Sequence, residues 1–494
     1  MKAHPPRACP RKIPAPDRGT AASAARAVRW LILALCGALF SPGPLKGGVE
    51  VGRILVKNGT LFTLQADETS PQRGFLLAGE DGKILRVGYG DPPPGIRAEQ
   101  VLDATGKMIV PGFVSAHSHL YQAVLRGLAV DKPLGDWVDA VKRYSTKAPP
   151  ADRYYATLYS CYDLLRHGIT TAFNFNDSNG EAEIDAEALN AELASGMRFI
   201  HGYCLPMRGT RESRLRDFES FYSYSRTFAG KRTTFLAIAL GGYACFNDDR
   251  DYIMLEGEIM AKHGLFNQAH YLEPADPAQV QAQRSKFGLF AESGELGPRL
   301  SFGHLVHADD AILSRIAAAG AGMVWNPLSN GRLGSGTPDI PRIRGLGIRI
   351  GMGVDGQASA DIADPFENMR SGLYSMRARY EDAAVLSPRD VLGFHTLGGA
   401  DVIGVSERVG SLEKGKYADF LVIDPHRMET GPVFDPYGTL VLACGTPNIE
   451  RVYVGARLVV ENGVSTNPDF ARVCAEVNAR MARLRAAQSE PALQ

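Results

Sequence analysis

Apolar and polar positions follow two different rhythms along this chain. Near the start, "RILVKNGTLFTLQ" (53–65) alternates with period two and reads as a strand. "GFLLAGEDGKILRVG" (74–88) is two short strand runs around Asp81-Gly82, a hairpin signal. Near the end, "ERVGSLEKGKYADFLVIDP" (407–425) and "IERVYVGARLVVENG" (449–463) read the same way. These flanking pieces predict one small β-sandwich domain built from both ends of the chain, 49–107 with 406–465. Residues 466–494 read as a C-terminal helix or tail.

The middle has a longer rhythm. Strand-like runs at 108–116, 169–175, 198–205, 234–241, 266–272, 300–306, 322–326 and 348–354 are separated by helix-like segments. Two such segments are "ADRYYATLYSCYDLLRHG" and "DPAQVQAQRSKFGLFAES". Eight strand-then-helix units predict an α/β fold with a parallel sheet, and eight is the number that closes a (β/α)8 TIM barrel, here over 108–405. In such a barrel the chemistry sits where the strands end, so polar residues at strand ends should converge.

The strand ends are rich in metal-binding side chains. The first run ends in His117 and His119, one residue apart and therefore on the same side of a strand. "AHYLE" brings His270 and Glu273, "GHLVH" brings His304 and His307, and "GVDG" brings Asp355. A lone strand-end histidine is usually structural. Histidines and a carboxylate on strands 1, 5, 6 and 8 of one pattern point instead to a divalent ion such as Zn2+ or Fe2+. Such an ion brings the pKa of a bound water near neutrality. On strand 6, an extended backbone puts His304 and Val306 on one face and His307 on the other, which favours His304. A carboxyl at Glu273, three residues past a ligand, can move a proton between water and substrate.

Composition narrows the partners. Of 494 residues, 45% are hydrophobic and 22% charged, which is ordinary for a globular chain. The formal net charge is zero, so no basic footprint argues for nucleic acid. A small-molecule substrate is expected, and a homo-oligomer is left open. Residues 1–48 carry six Lys or Arg from Arg7 to Arg29, then the apolar run "WLILALCGALF". That run is short for a membrane span and suits a signal peptide, so a secreted or periplasmic protein with no membrane span after processing is expected. A start codon placed too far upstream is the alternative, and it implies a cytoplasmic chain. Outside the leader, Cys161, Cys204, Cys245, Cys444 and Cys474 are odd in number and hold no C-x-x-C, so buried thiols are expected rather than a disulfide framework.

"PGFVSAHSHL", "GITT", "HYLE", "GHLVH", "NPLSNGRLGSG", "GVDG" and "GSLEKGKYADFLVID" together resemble the amidohydrolase superfamily, nearest its mononuclear deaminase and chlorohydrolase branch. The resemblance implies that His117, His119, His270 and Asp355 hold one metal. It implies that Glu273 shuttles the proton and that His304 orients water or polarises the substrate, with Asp355 as a second candidate base. Binuclear members bridge two metals with a strand-4 lysine; "TFLAIALGG" has none, so one ion is implied. In the covering loops, Trp137 is a candidate stacking surface and Asn330 a candidate substrate contact. Gly356 stands where the triazine hydrolases carry Asn, which argues against dechlorination. "HYLEP" also departs from the "HxAE" usual in adenosine-type deaminases. The expected activity is hydrolytic deamination of a heterocyclic amine. The alternatives are C–N hydrolysis of an amide, urea or carbamate, or a non-catalytic binding protein on the same barrel.

Overall fold

The flanking runs alternate because one face of each is covered. In the computed structural model, which describes residues 50–489 apart from 67, 146 and 178–180, they form β1 (Glu50–Leu61), β2 (Gln72–Ala78), β3 (Ile84–Tyr89), β4 (Ile96–Asp103) and β5 (Met108–Pro111). The expected leader, 1–48, lies outside the described residues. β1 pairs antiparallel with β2 along one edge; its other edge is shared between β4 and β5, both parallel to it.

The barrel strands follow: β6 (Phe113–His119), β7 (Ile169–Asn176), β8 (Arg198–Tyr203), β9 (Phe235–Gly242), β10 (Asn267–Tyr271), β11 (Leu300–His304), β12 (Gly322–Trp325), β13 (Arg349–Met352) and the two-residue β14 (Asp355–Gly356). They pair in sequence from β6 to β13, and every pairing is parallel. β14 then pairs with β6, Asp355 opposite Ser118 and Gly356 opposite His119. The strands are buried on both faces, which is why their sequences are apolar runs rather than alternating ones.

The expected first barrel run, 108–116, divides at Gly112. Its first half is β5, in the small sheet, and its second half is β6. A Cβ at Gly112 would lie 2.0 Å from Thr170 Oγ1, so the chain can pass from one sheet to the other only where there is no side chain.

The chain returns to the small sheet with β15 (Phe420–Ile423), β16 (Ile449–Val454), β17 (Arg457–Glu461) and β18 (Val464–Ser465), joined to β5 through β15. The sheet is mixed and continuous. Ile54, Val56, Leu76 and Ile84 from its N-terminal strands pack in one cluster with Phe420, Val422 and Tyr453 from its C-terminal strands. A buried ion pair ties the two sheets together. Arg198, the first residue of β8, donates from Nε and Nη2 to Asp419 at 2.6 and 3.0 Å, and its guanidinium lies 3.6 Å from the Tyr417 ring centroid. Among the described residues no helix is long and apolar enough to cross a membrane. Cys161, Cys204 and Cys444 are buried free thiols.

Candidate metal centre

β6 delivers His117 and His119 to the barrel mouth, and the tautomer of each ring is fixed by its outer partner. His117 Nδ1 donates to Gln268 Oε1 at 2.6 Å; the amide is oriented by its own bond from Nε2 to the Ala116 carbonyl at 2.8 Å. His119 Nδ1 donates to the Phe175 carbonyl at 3.0 Å and lies 2.8 Å from Asp177 Oδ2. Both rings therefore turn Nε2 inward. His119 Nε2 is 3.2 Å from His270 Nε2 and 3.3 Å from Asp355 Oδ1, and His117 Nε2 is 3.4 Å from the same oxygen. His117 Nε2 is fully buried and forms no hydrogen bond among the described residues. Nitrogen lone pairs facing one another and a carboxylate in a dry site are repulsive unless a cation lies among them. The donor set of His117, His119, His270 and Asp355 fits one divalent metal ion: His117, His119 and His270 offer atoms within 4.8 Å of one another, and Asp355 does so with His117 and His304.

The electrostatics follow from the crowding. Burial, reinforced by its three histidine neighbours, holds His270 well below the usual imidazole range, so it is neutral and ready to ligate. Burial works against the Asp355 charge, yet His117 and His119 keep that carboxyl well below its ordinary value. Burial also opposes charge on His119, but Asp177 and Asp355 outweigh it and raise the ring to about 10 in the absence of an ion. A proton and a divalent cation thus compete for the same nitrogen.

His304 ends β11 at φ 71°, and Asp355 sits at φ 58°. Left-handed backbone at two non-glycine residues costs roughly 1–3 kcal/mol each and is characteristic of functional sites. The strand stops at His304 instead of running on to 306, and the turn separates the two histidines of "GHLVH". His304 joins the cluster, within reach of His117 and Asp355. His307 faces away, its Nε2 donating to the Ser335 carbonyl at 2.8 Å. Asn330 Nδ2 donates to His304 Nδ1 at 2.9 Å, which leaves the proton of the neutral ring on the buried, unpartnered Nε2. Burial pushes His304 down to about 3, so it is neutral at physiological pH. Glu273 is 5% exposed, with Oε1 3.5 Å from His304 Nδ1. Burial and the nearby Asp355 raise its carboxyl well above the ordinary value.

Of the loop candidates, Trp137 is buried in packing and Asn330 lies against His304. Trp137 is 6% exposed, packs with Leu333 and Ala358, and donates from Nε1 to the Ala358 carbonyl at 3.1 Å. Its place is that of a packing anchor between the loops after β6 and β14, with no open face for a ring. Asn330 uses Nδ2 on His304, while its buried Oδ1 has no hydrogen-bond partner among the described residues. At Gly356 a Cβ would stand 1.7 Å from Gln122 Oε1, so a side chain here would require the Gln122 amide to move.

Two supporting residues were missed from sequence. Gln268 lies two before His270 on β10, hence on the same side, and that spacing was the available signal. Asp177 directly follows β7 and is a polar residue at a strand end like the others. It holds His119 and also accepts a hydrogen bond from Tyr243 Oη. Carboxylates behind ligating histidines typically contribute about 10–100-fold to metal affinity. Asp177→Asn is therefore expected to weaken metal binding by about that factor in a chelator competition. Unchanged affinity would mean that the Phe175 carbonyl alone orients the ring.

The profile of the amidohydrolase family matches residues 108–459. The chain is 30% identical over 421 residues to a 5-methylthioadenosine/S-adenosylhomocysteine deaminase of Syntrophobacter fumaroxidans, covering 83% of this chain and 93% of the relative. Among solved structures it resembles an adenosine deaminase from Xanthomonas campestris with bound zinc, at TM-score 0.81, 21% identity, and 88% and 99% coverage of the two chains. It also resembles the atrazine chlorohydrolase of Arthrobacter aurescens TC1 complexed with zinc, at TM-score 0.76, 21% identity, and 87% and 100% coverage.

Proposed function

Since the chain belongs to the amidohydrolase family, it is a metal-dependent hydrolase of carbon–nitrogen bonds, and we propose that its reaction is the hydrolytic deamination of an amino-substituted heterocycle. The observation that carries this reading is Glu273: a buried carboxyl beside the metal ligands, 3.5 Å from His304, whose burial and nearby Asp355 raise it above the ordinary carboxyl value. Deamination needs a proton delivered to a leaving nitrogen, and a carboxyl placed over the cluster with a raised pKa is suited to take a proton and return it.

His117, His119, His270 and Asp355 hold the ion in this reading, and zinc is the ion we assign, because the similar adenosine deaminase and chlorohydrolase structures hold zinc. Bound there, such an ion supplies Lewis acidity and lowers the pKa of water toward neutrality. The chain's own groups do the rest. Asp355, ionised, accepts a proton from the attacking water. His304, neutral and oriented by Asn330, offers its Nε2–H to the developing negative charge on the ring. Glu273 places a proton on the departing amine.

Full-length, zinc-loaded protein should release ammonia from one or more of adenine, guanine, cytosine and their nucleosides, followed by coupled ammonia detection. Acid release from ureas, carbamates or simple amides, with no ammonia from any heterocycle, would overturn deamination in favour of the other C–N hydrolysis.

A further inference from the structure

Behind β7, between the barrel sheet and the helix Ala182–Ser195, lies a group of buried polar and charged side chains. Asn174 and Asn176 share one face of β7, opposite the face of Phe175, whose ring centroid is 4.4 Å from that of His270. The two asparagines therefore point outward, to the helix. Asp185 and Glu192, about two turns apart on that helix, meet them. Asn176 Nδ2 donates to Asp185 Oδ1 at 2.7 Å, and Asn174 Nδ2 donates to Glu192 Oε1 at 2.5 Å. His201, opposite Asn174 on β8, donates from Nδ1 to Glu192 Oε2 at 2.8 Å, and its Nε2 lies 3.8 Å from Asp185 Oδ1. All five side chains are buried.

Two carboxylates in such a place are costly, and apolar residues of similar volume often serve stability as well or better. Burial opposes charge on His201, but Glu192 and Asp185 raise the ring to about 9, so an imidazolium offsets them at neutral pH. What the group holds is the chain on both sides of the metal ligand His119. Asn174 Oδ1 accepts from the N–H of Leu120, the residue after His119, at 3.1 Å. Asn176 Oδ1 accepts from Arg153 Nη1 at 3.4 Å. Arg153 Nη2 donates to the Asp177 carbonyl at 2.9 Å, and the Asp177 carboxylate is the group on His119.

We propose that Glu192 is a positioning residue of the metal centre: held by His201, it orients Asn174 and through it the peptide after His119, so that the affinity and coordination geometry of the ion depend on it. Asn174 is the link. Its amide has a donor end and an acceptor end and could turn over. Glu192, which only accepts when ionised, keeps Nδ2 outward and so keeps Oδ1 on the Leu120 N–H. The inference rests on the metal assignment and not on the deaminase reading, and it is tested without substrate.

The test measures zinc Kd by chelator competition and the visible absorption of the cobalt-substituted full chain, which reads coordination geometry. In Glu192→Leu, zinc should bind about tenfold more weakly and the cobalt bands should shift. Glu192→Gln still offers an oxygen to Asn174. It should bring the affinity back to within about twofold of the parent and restore the bands. Asn174→Ala removes the link while leaving Glu192 with His201, and it should weaken zinc as Glu192→Leu does; it decides alone should Glu192→Leu not fold. Leu189→Ala is the control. Leu189 is buried on the same helix, in one cluster with Phe199 and Tyr203, so its truncation opens a cavity and lowers the melting temperature. Its zinc Kd and cobalt bands should not change. Unchanged affinity and bands in Glu192→Leu and Asn174→Ala overturn the proposal. So does Glu192→Gln as impaired as Glu192→Leu, or Leu189→Ala that weakens zinc equally. A parent chain that binds no zinc removes the metal assignment and the proposal with it.

Discussion

Glu273→Gln is expected to keep the metal, keep the fold and lose about 10²–10⁴-fold in kcat. β10 ends at Tyr271, and Leu272 turns the chain at φ 54°, its N–H held by Gln283 Oε1 at 2.6 Å. That turn sets Glu273 over the cluster, 3.5 Å from His304. Glutamine has the same shape but cannot hold and return a proton. A helix-capping role does not compete for this residue. The helix Pro277–Ser285 is capped by Asp276, which accepts from the Ala278 and Gln279 N–H groups. Stability gives an independent sign. Burial raises the Glu273 carboxyl above its unfolded value, so between the two values the folded state binds more protons than the unfolded one. Folding stability from this group therefore falls as pH rises above the ordinary carboxyl range. Glutamine does not titrate, so metal-free Glu273→Gln should melt at or above the metal-free parent at pH 7. Near-parental kcat with a lowered melting temperature would remove Glu273 from the chemistry.

Much of this architecture was legible because the barrel imposes a period that sequence can carry. Strands buried on both faces must be apolar runs, and their eightfold repetition marks the sheet. The ligands were legible for a related reason: a polar residue that ends such a run has few places to point but the barrel mouth. Where reading failed, the cause was local backbone or packing. The passage between sheets at Gly112 depends on a close approach to Thr170, a contact from 58 residues away that no local pattern signals. His304 was chosen over His307 on the premise of an extended strand, whereas the chain instead turns through left-handed conformations at His304 and Leu305. That turn places His304 in the cluster and points His307 away from it. Trp137 looked like a free aromatic surface because its partners, Leu333 and Ala358, are about 200 residues downstream. The role of Asp177 becomes plain only when β7 lies beside β6, since nothing in "FNFND" says which histidine it will meet.

His117→Ala is expected to do the greatest damage. The parent chain should hold one equivalent of metal, because His117, His119 and His270 converge, Asp355 Oδ1 lies 3.3 and 3.4 Å from His119 and His117 Nε2, and β9 carries no lysine to bridge a second ion. His117 is the most enclosed of these donors, fully buried and fixed through Gln268. Alanine removes the ligand and also strands the Gln268 oxygen without a donor, a buried loss of about 1–3 kcal/mol. Metal content should fall from one equivalent to near zero. Turnover should fall by ~10³-fold or more, since the lost Lewis acidity accounts for several kcal/mol of barrier. The melting temperature provides the discriminating readout. In the parent it should rise with added zinc, because an ion that binds only the folded state stabilises it by mass action. In His117→Ala that response should vanish even though the barrel still folds. The rival outcome is specific: His304 lies within ligand distance of the same cluster and could complete the shell if Asn330 released it. One equivalent of tightly held zinc in the variant would show that substitution and remove His117 from the indispensable set, while two tightly held ions in the parent would overturn the mononuclear assignment itself.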